Sequence, residues 1–311
     1  MPDLDGNIDQ GRASRRILAG TDLSSRADRA LRRAALIAAK TGAELLVLHA
    51  VDDDQPRRLV EAERREASAI LHEQVAALGQ ASALPILPLI EEGDPFEAIL
   101  RVAETWKAEL IVLGEHRRRP LRDIFVGTTV ERVMRHGRCP VLMVNRAPAG
   151  PYRQVLAATD LSEHATRALH VAVRLGLLDR ARLTLLHAFE PPGLGALALA
   201  DAPPAAVAAH EADAAREAAA ALAACVATLG LPYRPEQRVV AGRAAAAIVQ
   251  AAEQSRPDLV VIGTAGAGFL RRAVLGSVAA EVLAAARCDV LAVPPEAPEY
   301  ARGRPPVASR D

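Results

Sequence analysis

The sequence predicts an α/β protein with two tandem doubly wound (Rossmann-like) domains, each built on a five-stranded parallel sheet. Two observations predict this fold class: a series of short motifs occurs twice in the same order, and apolar runs alternate with segments of helical length. Strands that are apolar throughout are buried on both faces, as they are in a parallel sheet covered by helices. The chain therefore reads as a duplicated, helix-covered sheet.

The duplication is visible as matches at two fixed offsets. Thr21-Asp22-Leu23-Ser24 recurs as Thr159-Asp160-Leu161-Ser162, and Leu48-His49-Ala50 recurs as Leu186-His187-Ala188, both at an offset of 138 residues. Later matches have an offset of 149, so the second copy carries 11 extra residues. These later matches pair Gly93 with Gly242, Gly114 with Gly263, Gly127-Thr128 with Gly276-Ser277, and Cys139 with Cys288. Each copy is about 140 residues long, a usual size for one core.

We place the two domains at residues 15–146 and 152–294, with flexible tails at 1–14 and 295–311. The predicted strands of the first copy are Ile17–Ala19, Leu45–Leu48, Ile86–Leu89, Leu110–Leu113 and Val141–Val144, and the segments between them are predicted helices. The extra residues of the second copy fall within Pro191–Ala209, which is apolar and rich in Gly and Pro. A lid, a partner surface and a passive loop before the next helix all stay open for this segment.

A glycine loop in the second copy is the strongest functional signal. Residues 263–277 contain Gly263, Gly266, Gly268 and Gly276, and they lie between the apolar run 259–262 and a predicted helix. Glycines allow backbone N–H groups to approach an anion, and the helix start adds its positive dipole end. In a doubly wound sheet, this loop and Thr159-Asp160 both follow carboxyl ends of strands, so they should meet in one crevice. The expected ligand is a nucleotide or another phosphate ester.

Composition argues against several other classes of function. Lys plus Arg and Asp plus Glu are equal at 38 each, and aromatic residues make up only 3%, so nucleic-acid binding is not expected. The chain starts acidic and polar and has no run of 18 apolar residues, so we expect a cytoplasmic protein without a membrane segment. Cys139, Cys225 and Cys288 form no Cys-x-x-Cys pair and are interpreted as structural thiols.

With these motifs the chain resembles the universal stress protein family in its tandem form. Nucleotide-binding members carry Gly-x2-Gly-x9-Gly-[Ser/Thr], which Gly263, Gly266, Gly276 and Ser277 match at every position. The resemblance implies that ATP binds in the second domain, with Asp160 on the adenosine part, Ala188 beside adenine, and the phosphates on the loop. Contact between Ser277 and a Mg²⁺ ion that the phosphates carry is left open, and a plain helix N-cap is the alternative role for this serine. The implied nucleotide site comprises Thr159, Asp160, Ala188, Gly263, Thr264, Gly266, Gly268, Gly276, Ser277 and Val278.

The first copy departs from the family pattern. Arg117 stands where the second glycine belongs, and Glu115 adds negative charge beside it. Arginine side chains here suit phosphate oxygens, while a solvated basic turn is the plainer interpretation. The expected degenerate site comprises Asp22, Ala50, Gly114, Arg117, Gly127 and Thr128, although Asp22 also suits an N-cap of the following helix.

The expected function is an adenine-nucleotide-binding module of stress response or signalling. No catalytic residue and no metal-ligand set is assigned, because no general base is evident near the loop and the P-loop lysine is missing. The alternatives are a nucleotide-independent dimerising scaffold and a weak ATPase or autophosphorylating enzyme. The resemblance also implies that the last strands, Val141–Val144 and Val290–Val293, pair into an internal pseudo-dimer, while a homodimer of the whole chain stays open.

Overall fold

The computed structural model describes residues 15–25, 27–115, 129–193, 203–231, 233–266 and 275–295. The first half runs β1 (Arg16–Gly20), α1 (Ala27–Thr41), β2 (Glu44–Val51), α2 (Arg57–Ser82), β3 (Ile86–Glu92), α3 (Pro95–Thr105), β4 (Leu110–Gly114), α4 (Thr129–His136) and β5 (Val141–Val144). The second half runs β6 (Gln154–Thr159), α5 (Glu163–Arg174), β7 (Arg182–Phe189), α6 (Pro204–Thr228), β8 (Glu236–Ala241), α7 (Ala244–Ser255), β9 (Leu259–Gly263), α8 (Ser277–Ala285) and β10 (Asp289–Val293).

The strands form one ten-stranded sheet in the order β3-β2-β1-β4-β5-β10-β9-β6-β7-β8. Pairing is parallel inside each half and antiparallel only where β5 meets β10, with Leu142 opposite Leu291. The predicted fold class is confirmed, and so is the predicted pairing of the two last strands. In each half the strand order reverses between the first and fourth strands, which is where doubly wound sheets bind ligands.

Side chains alternate between two cores because successive residues of a strand point to opposite faces. Ile17 and Ala19 of β1 pack into the core on the α1, α2, α5 and α6 side. Leu18, between them, packs into the core on the α3, α4, α7 and α8 side. Both cores continue across the β5–β10 pair, so the two halves share their apolar interior.

A buried polar cluster ties the halves together at this seam. Asp289 is only 1% exposed, and its Oδ2 atom lies 3.2 Å from Arg33 Nε and accepts a 2.7 Å hydrogen bond from the Tyr152 hydroxyl. The Arg33 guanidinium stacks over the Tyr152 ring at 4.0 Å and donates to the Gly150 carbonyl. Since the N–H groups of Asn145 and Arg146 also donate to Asp289, the segment that joins the two halves is held against both of them.

The insertion of the second copy ends in a helix. Helix α6 begins at Pro204, so the last residues of the 191–209 segment form its first turns. Pro203 precedes this helix with φ of −55°, as proline favours at a helix start. His210 of α6 contacts the Pro192 carbonyl at 2.6 Å, so the start of this connection lies against α6. Residues 194–202 lie outside the described residues.

Within the described ranges, none of the helices combines the length and the apolar character needed to cross a bilayer. Residues 1–14 and 296–311, which hold nearly all of the two predicted tails, also lie outside the described residues.

Candidate functional site

The carboxyl ends of β6, β7 and β9 surround a cavity of about 370 Å³ in the second half. Nine of the ten residues predicted for the nucleotide site line it: Thr159, Asp160, Ala188, Gly263, Thr264, Gly266, Gly276, Ser277 and Val278. The tenth, Gly268, lies outside the described residues. The strand-end loops therefore meet in one crevice, as the parallel topology predicts.

The segment after β6 is shaped by hydrogen bonds in which the oxygens of short polar side chains act as acceptors. Asp160 Oδ1 accepts from the backbone N–H of Ser162 at 3.1 Å and from its hydroxyl at 2.5 Å. Thr159 Oγ1 accepts from the N–H of Leu161, which has a φ of +62°, a left-handed conformation that is unfavourable for leucine. Such strain persists where the surroundings enforce it, often at ligand sites. Here it presents the Asp160 carboxylate to the cavity.

The same turn exists in the first half, where its hydrogen bonds decide the alternative role predicted for Asp22. Asp22 Oδ1 accepts from the N–H of Ser24, and Leu23 has a φ of +60°. The Ser24 hydroxyl in turn accepts from Ala27 N–H at the start of α1. The helix-capping acceptor is therefore the serine, and the interpretation of Asp22 as an N-cap was wrong.

The glycine loop approaches this turn closely. A Cβ atom on Gly266 would lie 3.2 Å from Asp160 Oδ2, a contact tighter than most real Cβ contacts. A Cβ atom on Gly276 would lie 3.1 Å from the Thr264 carbonyl, which accepts the Gly276 N–H at 2.9 Å. Both glycines are thus explained by close packing, and any side chain on Gly266 would enter the cavity beside Asp160.

The start of α8 corrects the alternative role of Ser277. Gly276 occupies the N-cap position and Ser277 is the first helical residue, so the N-cap interpretation of Ser277 was wrong. The N–H groups in the first turn of a helix lack acceptors within the helix. Those of Ser277 and Val278 therefore belong to a helix start that faces the cavity.

Helix α7 supplies two lining residues that sequence reasoning missed, Ala244 and Ile248. Together with Leu186 and Ile262 they make the wall predominantly apolar. A usable signal was present, because α7 follows β8, whose carboxyl end lies at the same edge of the sheet. Small aliphatic residues at the start of an Ala-rich helix look like ordinary core, and this hid them.

The histidines that close β2 and β7 make matching structural contacts. His49 Nδ1 lies 2.9 Å from the Thr21 carbonyl, and His187 Nδ1 lies 2.9 Å from the Thr159 carbonyl. Since a carbonyl only accepts, each Nδ1 carries the proton and donates it. Each ring therefore fixes the strand end that carries the Thr-Asp turn, which is a structural role.

The first half contains its own cavity, of about 560 Å³, at the equivalent sheet edge. Asp22, Ala50 and Gly114 of the predicted degenerate site line it, together with His49 and Glu115. Arg117, Gly127 and Thr128 lie outside the described residues. The departure from the glycine pattern thus coincides with a cavity that two carboxylates border.

The cysteines fit structural roles. Burial raises the pKa of the Cys139 thiol to about 12 and that of the Cys288 thiol to about 11, so both stay protonated at neutral pH.

In the part of the chain that the structure describes, the one grouping with metal-ligand geometry is Asp52, Asp53 and Asp54. These are neighbouring, exposed carboxylates in the connection between β2 and α2.

Comparison with known proteins identifies the family. The model of the universal stress protein family matches residues 13–145 and again residues 151–294. The chain belongs to the universal stress protein family. It carries the family's domain twice, as its repeated motifs predict.

Individual relatives match either about half of the chain or nearly all of it. A universal stress protein from Thermus aquaticus is 37% identical over 144 residues, which is 46% of this chain and 98% of that protein. A solved universal stress protein from Archaeoglobus fulgidus matches 91% of this chain and 99% of its own with a TM-score of 0.64, and at 21% identity this likeness is one of fold. Another solved universal stress protein is a complex with cAMP; it is 26% identical and covers 44% of this chain, with a TM-score of 0.38.

Proposed function

We propose that this tandem universal stress protein binds an adenine nucleotide, ATP, in the cavity of its second half and acts as a stress-response or signalling module. The observation that carries the proposal is the meeting of Asp160, the glycine loop and the start of α8 around one cavity. A carboxylate, an apolar wall and a helix start are the three features that a sugar, a base and a phosphate chain need.

Each part of the nucleotide has a matching part of the cavity. The Asp160 carboxylate accepts hydrogen bonds from ribose hydroxyl groups, and the apolar wall around Ala188 and Ile248 packs on the base. The N–H groups of Ser277 and Val278 face the phosphates, whose charge the helix dipole favours. The Ser277 hydroxyl makes no hydrogen bond within the described residues. It is therefore the group that we propose as a ligand for a Mg²⁺ ion bound to those phosphates.

Gly266 is the position that most sharply tests this assignment. Since a Cβ there already lies 3.2 Å from Asp160 Oδ2, a longer side chain must enter the cavity or displace the Thr-Asp turn. Gly266→Arg copies the arginine of the first half, Arg117, and also gives Asp160 a cationic partner that competes with the ligand.

The experiment combines mass spectrometry of nucleotide released from the purified protein with calorimetric titration of ATP. We expect one ATP per chain for the wild type and at least a hundredfold weaker binding for Gly266→Arg, about 2.7 kcal/mol. Arg117→Gly, the reverse exchange in the first copy, is the matched control and leaves the affinity of the second-half site unchanged. Thermal unfolding checks that each variant is folded. Absence of ATP binding by the wild type, or unchanged affinity in Gly266→Arg, contradicts the proposal.

A nucleotide-independent scaffold is the second candidate, and the seam is the observation that favours it. The ten-stranded sheet and the buried Arg33–Asp289 pair hold the halves together without any ligand.

A third hypothesis is slow hydrolysis of the bound ATP. Accumulation of ADP during the titration would distinguish hydrolysis from simple binding.

A further inference from the structure

The second half has another cavity at the opposite edge of its sheet. It measures about 410 Å³ and lies between α7 and α8, beside the amino ends of β9 and β10. Cys288, which borders it, directly precedes β10, and Pro257 lies two residues before β9. The proposed nucleotide site uses none of these residues except Ile248, which lines both cavities.

This crevice has an apolar floor and a basic rim. The floor is aliphatic: Val249, Ala252, Val260, Val282 and Ala286. Three arginines, Arg146, Arg256 and Arg287, stand at the rim against one carboxylate, Glu253. The side chains at the rim are exposed, while Val260 and Val282 are fully buried below them. The crevice thus combines an apolar floor with an excess of positive charge at its rim.

The rim arginines are not neutralised by neighbouring acids. Among the described residues, no carboxylate lies within 4.0 Å of the guanidinium nitrogens of Arg146, Arg256 or Arg287. Arg146 Nε donates instead to the Arg287 carbonyl at 2.8 Å, which draws two of the three rim residues together. Guanidinium groups that have no carboxylate partner and line one rim favour an anionic ligand.

The duplication shows why the crevice is open in this half. Between α3 and α4 of the first half, the rings of Phe96 and His136 meet at 5.3 Å, and Leu100 Cδ2 lies 3.2 Å from where a Cβ on Gly137 would be. The equivalent residues of the second half are smaller at three of these four positions: Ala245, Val249, Ala285 and Ala286. Val249 and Ala285 line the crevice, so the volume that the larger Leu100 and His136 side chains occupy in the first half is left unfilled here.

We infer that this crevice binds a small amphipathic anion, whose acidic group pairs with the arginines and whose apolar part packs on the aliphatic floor. Guanidinium groups bind carboxylate, sulfonate and phosphate oxygens in the same forked geometry. A volume of about 410 Å³ lies within the range of small-molecule sites. The inference does not rest on nucleotide binding, although a ligand there packs against Ile248, the wall shared with the other cavity.

The probe that tests this is 8-anilinonaphthalene-1-sulfonate, an aromatic anion whose fluorescence rises in apolar surroundings. We expect saturable binding to the full-length protein, weakened at least tenfold in the double variant Arg256→Gln/Arg287→Gln. The matched control is Lys107→Gln/Arg138→Gln, which removes the equivalent charges of the first half and leaves probe affinity unchanged. N-Phenyl-1-naphthylamine, a neutral analogue, should not distinguish the double variant from the wild type.

A second variant tests the floor independently of charge. Val249→Leu/Ala285→His restores two residues of the first half and should abolish the fluorescence increase by filling the crevice. Absence of saturable probe binding to the wild type overturns the inference. Equal probe affinity in the wild type and in Arg256→Gln/Arg287→Gln also overturns it. Both substituted side chains are exposed, so this variant should fold as the wild type does.

Discussion

The two halves of the molecule share their backbone plan and differ in the side chains that face their cavities. Each half has the same strand order, the same Thr-Asp turn with a left-handed leucine, and the same histidine contact behind it. The second half surrounds its 370 Å³ cavity with small residues and glycines, whereas the first half places Glu115 beside a cavity of 560 Å³. Duplication therefore kept the backbone frame around each cavity, while the side chains that line the cavities diverged.

The seam shows the same principle in the interior. Arg33 and Asp289 form a buried pair on one side of the pseudo-twofold relation. Their equivalents on the other side are Val171 and Pro140, which carry no charge. By contrast, Arg29 and Arg167 keep matching contacts, to the carbonyls of Asn145 and Pro294. The halves are thus symmetric in outline and asymmetric in the one ion pair buried among the described residues.

The largest expected effect comes from removing the cation of the ion pair that is buried at the seam. Arg33→Val introduces the residue found at the equivalent position 171 and leaves the Asp289 carboxylate buried without its cation. We expect a loss of about 3 to 5 kcal/mol in the free energy of unfolding, measured by urea denaturation.

Arg32→Val is the matched control on the neighbouring residue. Arg32 pairs with Asp28 on the exposed face of α1, so its loss should cost less than about 0.5 kcal/mol. Equal costs for the two variants would show that the buried pair does not hold the halves together.

A smaller effect is expected at the aspartates of the two Thr-Asp turns. Asp160→Asn keeps one oxygen for the turn to Ser162 and removes the charge that faces the second cavity. We expect at least tenfold weaker ATP binding by calorimetry, since a hydrogen bond to a charged group is worth about 1.5 to 3 kcal/mol.

Asp22→Asn makes the same change in the first half, where the turn to Ser24 is equivalent. ATP affinity should stay at the wild-type value in this variant. If Asp22→Asn weakens binding as much as Asp160→Asn, the working site is not confined to the second half.

The smallest expected effect is a pair of opposite pH dependences. Burial raises the pKa of Asp289, against the opposing effects of Tyr152 and Arg33, so the folded protein holds this proton more tightly than the unfolded chain. Its contribution to stability is therefore greatest below the unfolded pKa, about 3.9, and declines as the pH rises through the raised folded pKa. In the first half, the hydrogen bond from Arg132 lowers the pKa of Asp94, whose contribution is present above the unfolded pKa and is lost as the pH falls through the lowered one.

Urea denaturation between about pH 3 and pH 7 measures both slopes. Relative to the wild type, Asp289→Asn should remove a decline in stability with rising pH, and Asp94→Asn should remove a rise. Slopes of the same sign in the two difference curves would contradict the assignment of the two shifts to burial and to hydrogen bonding.

Much of the site could be predicted because its parts are local. The strand Leu259–Gly263, the glycines after it and the helix that starts at Ser277 follow one another in the chain, so spacing alone predicts a loop at a strand end. The contact between Gly266 and Asp160 was predicted only as a shared crevice, since the distance depends on how two separate strands pair. Ala244 and Ile248 were missed because aliphatic residues on a helix carry no signal of what they face.

The sequence by itself determined the duplication, the alternation of strands and helices, and the side chains available at each strand end, because periodicity and chain order are local properties. The tertiary structure alone decided that Asp289 meets Arg33, that Gly276 rather than Ser277 caps α8, and that three arginines from the seam and two helix ends surround one crevice. These outcomes depend on side-chain volumes and on distances between residues far apart in the chain, and such distances are fixed only when the ten strands pair and the helices pack on them.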